Sequence, residues 1–287
     1  MKKRLSKISL GSANFGFNYG IRNKKKIKFE EVEKILSYAK KIEICKIDTA
    51  QAYGESEKVI GKYINKIETK WNITSKFNNL DLPLEDQLII SKRNLNTFPK
   101  NFIAHSAKLF KSEYFINSVR KFKNKYPKIN IGVSIYSSKE IDEILNGPIK
   151  PDIIQLPISI LDKRLYESKH LQEINKMNIK IQARSIFLQG LFFLDDNFIK
   201  KKFPSAYLPI LKLKDLSKKI NISISQLSLL WVLDLYEIND VILGIDSQKQ
   251  LEENYETMKI NINSEIYNEI KDIKFNDTQV LNPQNWL

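Results

Sequence analysis

The sequence predicts an α/β protein folded as a (β/α)8 TIM barrel, a single domain spanning residues 1–287. Three observations predict it. Short apolar runs alternate with longer amphipathic ones from end to end, eight of the short runs have strand character, and no Pro/Gly/Ser-rich linker interrupts the series. Eight βα units joined by right-handed crossovers form a parallel sheet that closes on itself, and 287 residues suit a barrel of about 250.

The strands are expected at KISLG (7–11), CKID (45–48), WNITSK (71–76), NFIAH (101–105), INIGVS (129–134), DIIQLP (152–157), IKIQARS (179–185) and DVILG (240–244). The first crossover helix is FEEVEKILSYAKKI, where Val32, Ile35, Leu36 and Ala39 recur at i, i+3, i+4 and i+7 while Glu and Lys cover the other face. Similar helical patterns follow in ESEKVIGKYI, EYFINSVRKFKNKY, SKEIDEIL, LYESKHLQEINKM, LPILKLKDLSKKI, SQLSLLWVLDLY and KQLEENYETM. Ser138 and Ser225 stand just before an apolar period and are expected to cap the helices carrying Ile141 and Trp231. Two pieces fall outside the repeat. One is an insertion after the seventh strand (190–206), on the side where such barrels keep their active sites, and the other is a C-terminal tail (274–287).

Composition narrows the function. Hydrophobic residues at 42% and charged residues at 28% describe a folded globular chain. A net charge of +14 invites a nucleic-acid partner, but only six of the 47 basic residues are Arg and the Lys are spread along the chain. Phosphate and base readout favour the bidentate Arg fork, so a solvated basic surface is expected, with no nucleic-acid site. One cysteine, Cys45, rules out an intrachain disulfide, suits a reducing compartment and is expected to be a buried structural thiol. The basic start MKKRLSKISLGSANFGF loses its apolar stretch to Ser9, Gly11, Ser12 and Asn14, and no segment offers the roughly 20 apolar residues of a membrane span. A cytoplasmic protein without membrane attachment is expected. The sequence carries no signal for an oligomeric state.

In a barrel the chemistry comes from the C-terminal ends of several strands. Asp48, Lys76 and His105 end three successive strands, and Tyr53 follows Asp48 within DTAQAYGESEKVIG. Each alone has an ordinary structural reading as a turn cap, a solvated cation or a core imidazole; their succession is what points to a site. No metal site is expected, because His105 and His170 are isolated and no CxxC exists. No GxSxG elbow, GxGxxG or P-loop lysine is present either.

With these residues in place the sequence resembles the aldo-keto reductase superfamily. The match runs through Asp48-Thr49-Ala50, Tyr53-Gly54, Ser56-Glu57 and Ile60-Gly61, and continues in ISLGSANFG, ITSK, FIAHS, IGVS and VILGIDSQKQLEEN over nearly the whole chain. The resemblance implies an NADPH- or NADH-dependent oxidoreductase reducing an aldehyde or ketone. Tyr53 would be the general acid, Lys76 the cation beside the phenol, Asp48 the partner holding Lys76, and His105 the residue orienting a small-molecule carbonyl substrate. It further implies Gly11 and Ser12 near the nicotinamide, Ser134 and Gln155 at its carboxamide, and Ser185, Leu188 and Gly190 along the pyrophosphate. The late stretch with Gly244, Asp246, Gln250 and Asn254 would face the adenosine end. IQLPISILDKR and ARSIFLQGL are similar to a branch associated with surface-carbohydrate gene clusters, which implies a carbohydrate-derived carbonyl.

Three departures from the family pattern stand out. Ile135 occupies a common Asn position, and Arg184 stands where an aromatic ring often stacks on the nicotinamide. Gly244 and Gln250, with Asp246 nearby, stand where relatives often carry Lys or Arg for a 2′-phosphate. A carboxylate beside a phosphate is unfavourable, so a weakened or even reversed preference for NADPH over NADH is expected, with Lys249 as a cation that could compensate. The departures also allow an alternative, a catalytically weak NAD(P)-binding sensor on the same barrel. The short segment SAKLFKSEYF after His105 implies an open mouth suited to a bulky polar substrate, unless the 190–206 insertion or a second subunit covers it.

Overall fold

In the computed structural model residues 1–18, 26–66, 70–79 and 81–286 are described; Arg22 and Leu287 lie outside them. Eight strands, β1 (Ile8–Gly11), β2 (Lys46–Asp48), β3 (Asn72–Phe77), β4 (Asn101–Ala104), β5 (Asn130–Ser134), β6 (Ile153–Pro157), β7 (Lys180–Arg184) and β8 (Asp240–Gly244), pair in sequence order as parallel neighbours. The barrel closes where β1 meets β8, from Ile8 opposite Val241 to Gly11 opposite Gly244. Each strand lies within two residues of its expected position.

Alternation along the strands separates two environments. Residues such as Ile47, Ile73, Phe102, Val133, Ile154, Ile181 and Val241 face the helices and form a continuous buried apolar layer. The opposite set turns into the barrel and is largely polar, including Asp48, Thr74, Lys76, Ser134, Gln155 and Gln182. Barrel interiors are usually filled by branched apolar side chains, so the central column of this one is unusual.

The helices differ from expectation in identifiable ways. The N-caps are Ser137 and Ser223, not Ser138 and Ser225. Each forms a reciprocal box with the side chain three residues on, Glu140 or Gln226, which satisfies two orphan N–H groups and fixes the helix start. The pattern LYESKHLQEINKM divides into Arg164–Glu167 and His170–Lys176, because Lys169 adopts a left-handed backbone (φ 65°) between them. A further helix, Leu84–Leu95, follows β3, and its buried side includes the polar Gln87 and Ser91. The segment after His105 adds the short helix Ala107–Phe110 ahead of the expected helix Glu113–Lys125, which Ser112 caps. Cys45 is only partly buried and packs on the core edge. No helix among the described residues is long and apolar enough to cross a membrane.

The insertion and the tail meet. After β7 the chain forms a 3-10 segment (Leu188–Phe193) and the helices Asp196–Lys202 and Pro204–Lys219. The tail contributes the turn of helix Thr278–Leu281, and Trp286 packs on Phe203 with ring centres 5.0 Å apart. The N-terminal segment is tied to late elements as well. Arg4 grips Asp234 through two nitrogens at 2.7 and 2.6 Å, and Lys7 Nζ donates to the carbonyls of Leu233 and Leu235 at the end of the helix Ile224–Asp234.

Candidate active site

The C-terminal end of the barrel opens into a cavity of about 700 Å³. Asp48, Tyr53, Lys76 and His105 all line it, delivered by the ends of β2, β3 and β4 and the loop after β2. That loop is held by its own sequence. Ser56 Oγ donates to Ser12 O, Ser12 Oγ donates to Asp48 O, and the buried Glu57 accepts from Ser75 and Asn94. Gly16 permits the close approach of the Tyr53 backbone, since a Cβ there would lie 1.6 Å from Tyr53 O. Gly54, at φ 56°, turns the chain back immediately afterwards.

Lys76 Nζ donates to Asp48 Oδ2 at 2.6 Å and to Thr49 O at 2.9 Å, with both charged side chains nearly inaccessible. The pair expected from the sequence is therefore formed. Lys76 Nζ also stands 5.1 Å from the centre of the Tyr53 ring. The His105 ring meets the Tyr53 ring edge-on, 5.8 Å between centres.

The electrostatics set the protonation states of both rings. Burial, reinforced by the Asp48 carboxylate, pushes the Tyr53 phenol well above its usual range, while Arg184 pulls it down. Desolvation outweighs the nearby positive charge of Arg184. Burial also drives His105 down to about 3, with Lys76 and Arg184 adding to the effect. The imidazole is neutral, with one nitrogen to donate and one to accept.

Of the expected cofactor residues, Gly11, Ser12, Ser134, Gln155, Arg184, Ser185, Gly190, Gly244, Asp246, Gln250 and Asn254 line the same cavity. Leu188 does not: its side chain is 1% exposed and packs in the core, because the turn after β7 points it inward. Gln155 is committed differently from expectation, since its Nε2 donates to Asp48 Oδ1 at 2.7 Å and contacts Gln182 Oε1 at 3.2 Å. The Ile135 side chain is fully buried; its carbonyl accepts from Arg184 Nη2.

Several lining residues were not anticipated. Tyr136 lies under the Arg184 guanidinium, 4.0 Å from carbon to ring centre, forming a cation–π stack at the cavity wall. Asn14 Nδ2 donates to Ile245 O and Asp246 Oδ1, and Phe187 and Phe193 form an aromatic pair in the segment after β7. Glu253 and Pro283 also border the cavity. Tyr136 had a usable signal in its place just beyond β5; the others depend on how distant loops converge. The loop after β7 carries three non-glycine left-handed residues, Ser185, Leu188 and Gln189, a concentration of backbone strain at the wall.

A comparison with solved structures finds the same architecture in PA4992 of Pseudomonas aeruginosa, itself a candidate aldo-keto reductase. The two align with a TM-score of 0.64 at 16% identity, covering 88% of each chain. No curated protein sequence matches. The sequence model of the aldo/keto reductase family matches residues 7–121 and 128–274, in two stretches that take in every strand and all four residues of the Asp48, Tyr53, Lys76 and His105 cluster. The chain belongs to the aldo/keto reductase family.

Proposed function

We propose that this protein is an NAD(P)H-dependent reductase that converts an aldehyde or ketone into an alcohol at Tyr53. The observation that carries the reading is the convergence of Asp48, Tyr53, Lys76 and His105 in one cavity at the barrel's C-terminal end, with the Lys76–Asp48 pair already made.

The residues present suit a nicotinamide cofactor. The cavity runs from Tyr53 to the turn after β8, and Gly244 presents no Cβ where the wall is open, with nothing within 4 Å of its position. Asn14 Oδ1 is buried at this wall with no hydrogen-bond partner, an acceptor that a ligand hydroxyl or amide would satisfy. Gly11, Ser134, Gln155 and Arg184 would hold the nicotinamide end, and Asp246, Gln250 and Asn254 the adenosine end. When bound, the nicotinamide supplies the hydride.

The protein's own part is binding, orientation and one proton. His105, neutral, donates a hydrogen bond to the substrate oxygen and directs the carbonyl carbon toward the hydride source. The Tyr53 O–H donates to the same oxygen. Its raised pKa keeps the proton on the phenol until negative charge develops on that oxygen, when the proton passes across and an alcohol is left. The phenolate then faces Lys76, whose charge stabilises it until a solvent proton restores the O–H; Asp48 keeps Lys76 in place.

A carbohydrate-derived carbonyl fits a wide cavity with polar walls, and Asp246 at the adenosine end favours NADH relative to NADPH. The Lys residues pair with acids on many separate helices, as in Lys34–Glu31, Lys219–Glu269 and Lys274–Glu167, which supports a solvated basic surface over a nucleic-acid face. The single Cys45, its thiol pushed up by burial, accords with a cytoplasmic location.

The deciding experiment is a panel of aldehydes, ketones and reducing sugars with NADPH and NADH, followed at the cofactor absorbance, for the wild type and Tyr53→Phe. Turnover that is lost in the variant while cofactor still binds supports the reading. Cofactor binding without turnover on any carbonyl would instead indicate the sensor, a reading favoured only by Arg184 at the cavity wall.

A further inference from the structure

The barrel opens at its other end too. Below the catalytic level a second cavity of about 290 Å³ enters from the N-terminal side and reaches Thr74 and Gln182, each 2% exposed, in the middle of the barrel. Catalysis has no use for it, since the reacting groups all belong to the opposite mouth.

Its walls are costly to fold. Positions that branched apolar residues would normally fill hold carboxamides and charges that must each find a partner. They do so in a continuous chain. Asn130 Nδ2 donates to Asn101 Oδ1 and Asn101 Nδ2 to Thr74 Oγ1, both at 2.8 Å. Gln182 Nε2 is shared between Thr74 Oγ1 and Asp240 Oδ2, each at 3.2 Å. Departures from an apolar core of this extent concentrate where a ligand binds.

The charge balance indicates which ligand. Asp240 is the one carboxylate among the described residues lining this cavity, and Lys46 Nζ already holds it at 2.5 Å. Lys100 and Lys180 stand at the rim with no acidic group in ion-pair range among the described residues. With Lys46 spent on Asp240, the two remaining cations, Lys100 and Lys180, in a concave polar cup focus a positive potential on the cavity. The carboxamides beneath them supply hydrogen bonds to hydroxyl groups.

We propose that the N-terminal mouth of the barrel is a second ligand site, for a small hydroxylated oxyanion of the phosphate or phosphate-ester class. Lys100 and Lys180 hold the anionic oxygens, and the Asn101 and Asn130 level receives the hydroxyls.

The test is calorimetric titration of the full chain with inorganic phosphate and with glycerol 3-phosphate at constant ionic strength, in chloride. One-to-one saturable binding is expected, weakened at least about tenfold in the K100Q/K180Q double variant through loss of two charge-assisted contacts. Both lysines are solvent-exposed, so that variant keeps its fold. Arg184→Gln, at the opposite mouth, is expected to leave the affinity unchanged. Tighter binding of glycerol 3-phosphate assigns a phosphate ester, and tighter binding of phosphate assigns the free ion; both support the site. Absence of saturable binding, affinity unaltered in K100Q/K180Q, or loss of binding through Arg184→Gln alone overturns it.

Discussion

Gln155 donates its side-chain N–H to Asp48 Oδ1 at 2.7 Å, while Lys76 holds Asp48 Oδ2 at 2.6 Å, so a single buried carboxylate joins β2, β3 and β6. Replacing Gln155 by Leu leaves a buried charged oxygen without a partner, a loss of about 1–3 kcal/mol. Urea unfolding is expected to show that loss, and carbonyl turnover to fall with it as Lys76 loses its fixed position.

Tyr53→Phe removes the proposed proton donor and little else, because the ring still packs edge-on against His105. Turnover should fall by about 10² to 10⁴, the usual contribution of a general acid. Cofactor affinity, read by fluorescence quenching, should stay within about twofold, since a lost hydroxyl outside the cofactor contacts is worth less than 1 kcal/mol.

The buried imidazole of His105 gives stability a defined pH dependence. In the folded chain it takes a proton only near pH 3, and in the unfolded chain near 6.5. Between those values the unfolded state binds the extra proton, so stability falls as pH drops through this window, by about 1.4 kcal/mol per pH unit from this group. Urea midpoints measured from pH 7 down to 4 should fall more steeply for the wild type than for His105→Gln.

Asp246 places a carboxylate at the proposed adenosine end of the cavity, held by Asn14 Nδ2 at 2.7 Å. Asp246→Ser removes the charge that would oppose a 2′-phosphate. The NADPH-to-NADH affinity ratio should rise about tenfold, as expected when a like charge a few ångströms away is lost. An unchanged ratio in parallel titrations would dissociate Asp246 from cofactor choice.

Arg184 has no carboxylate in ion-pair range among the described residues, and its charge reaches both Tyr53 and His105. An oxidised nicotinamide ring beside those groups is cationic and the reduced ring neutral, so the guanidinium disfavours the oxidised form. Arg184→Met should tighten oxidised cofactor several-fold relative to reduced, by an amount set by Coulomb interaction at intermediate dielectric. Dissociation constants for the two forms give the answer directly.

Most of the barrel and its candidate catalytic cluster are legible in the sequence because both depend on local alternation. Strand ends fall where an apolar run stops, and Asp48, Lys76 and His105 occupy three of them. The helix Leu84–Leu95 is not legible, since Gln87 and Ser91 on its buried side break the apolar period, the Gln87 side chain bonding Asn79 and Leu82 and Ser91 Oγ accepting from Gln51. The break at Lys169 depends on a left-handed backbone that no composition signal announces. Leu188 misleads for a similar reason, because the irregular turn after β7 decides which side chains face the cavity. The Gln155–Asp48 bond and the Arg184–Tyr136 stack are cross-barrel contacts, and only closure of the sheet reveals them.

The bonds from Arg4 and Lys7 to the segment 233–235 bear on how the chain is made. Arg4 and Lys7 are synthesised more than 200 residues before their partners, and β1 waits for β8 in the same way. Until then the first strand has an unpaired edge and the incomplete barrel exposes the polar column at its centre. The final closure joins the most distant parts of the described chain, so assembly should be slow and cooperative, and the nascent chain should depend on protection of that edge until β8 arrives.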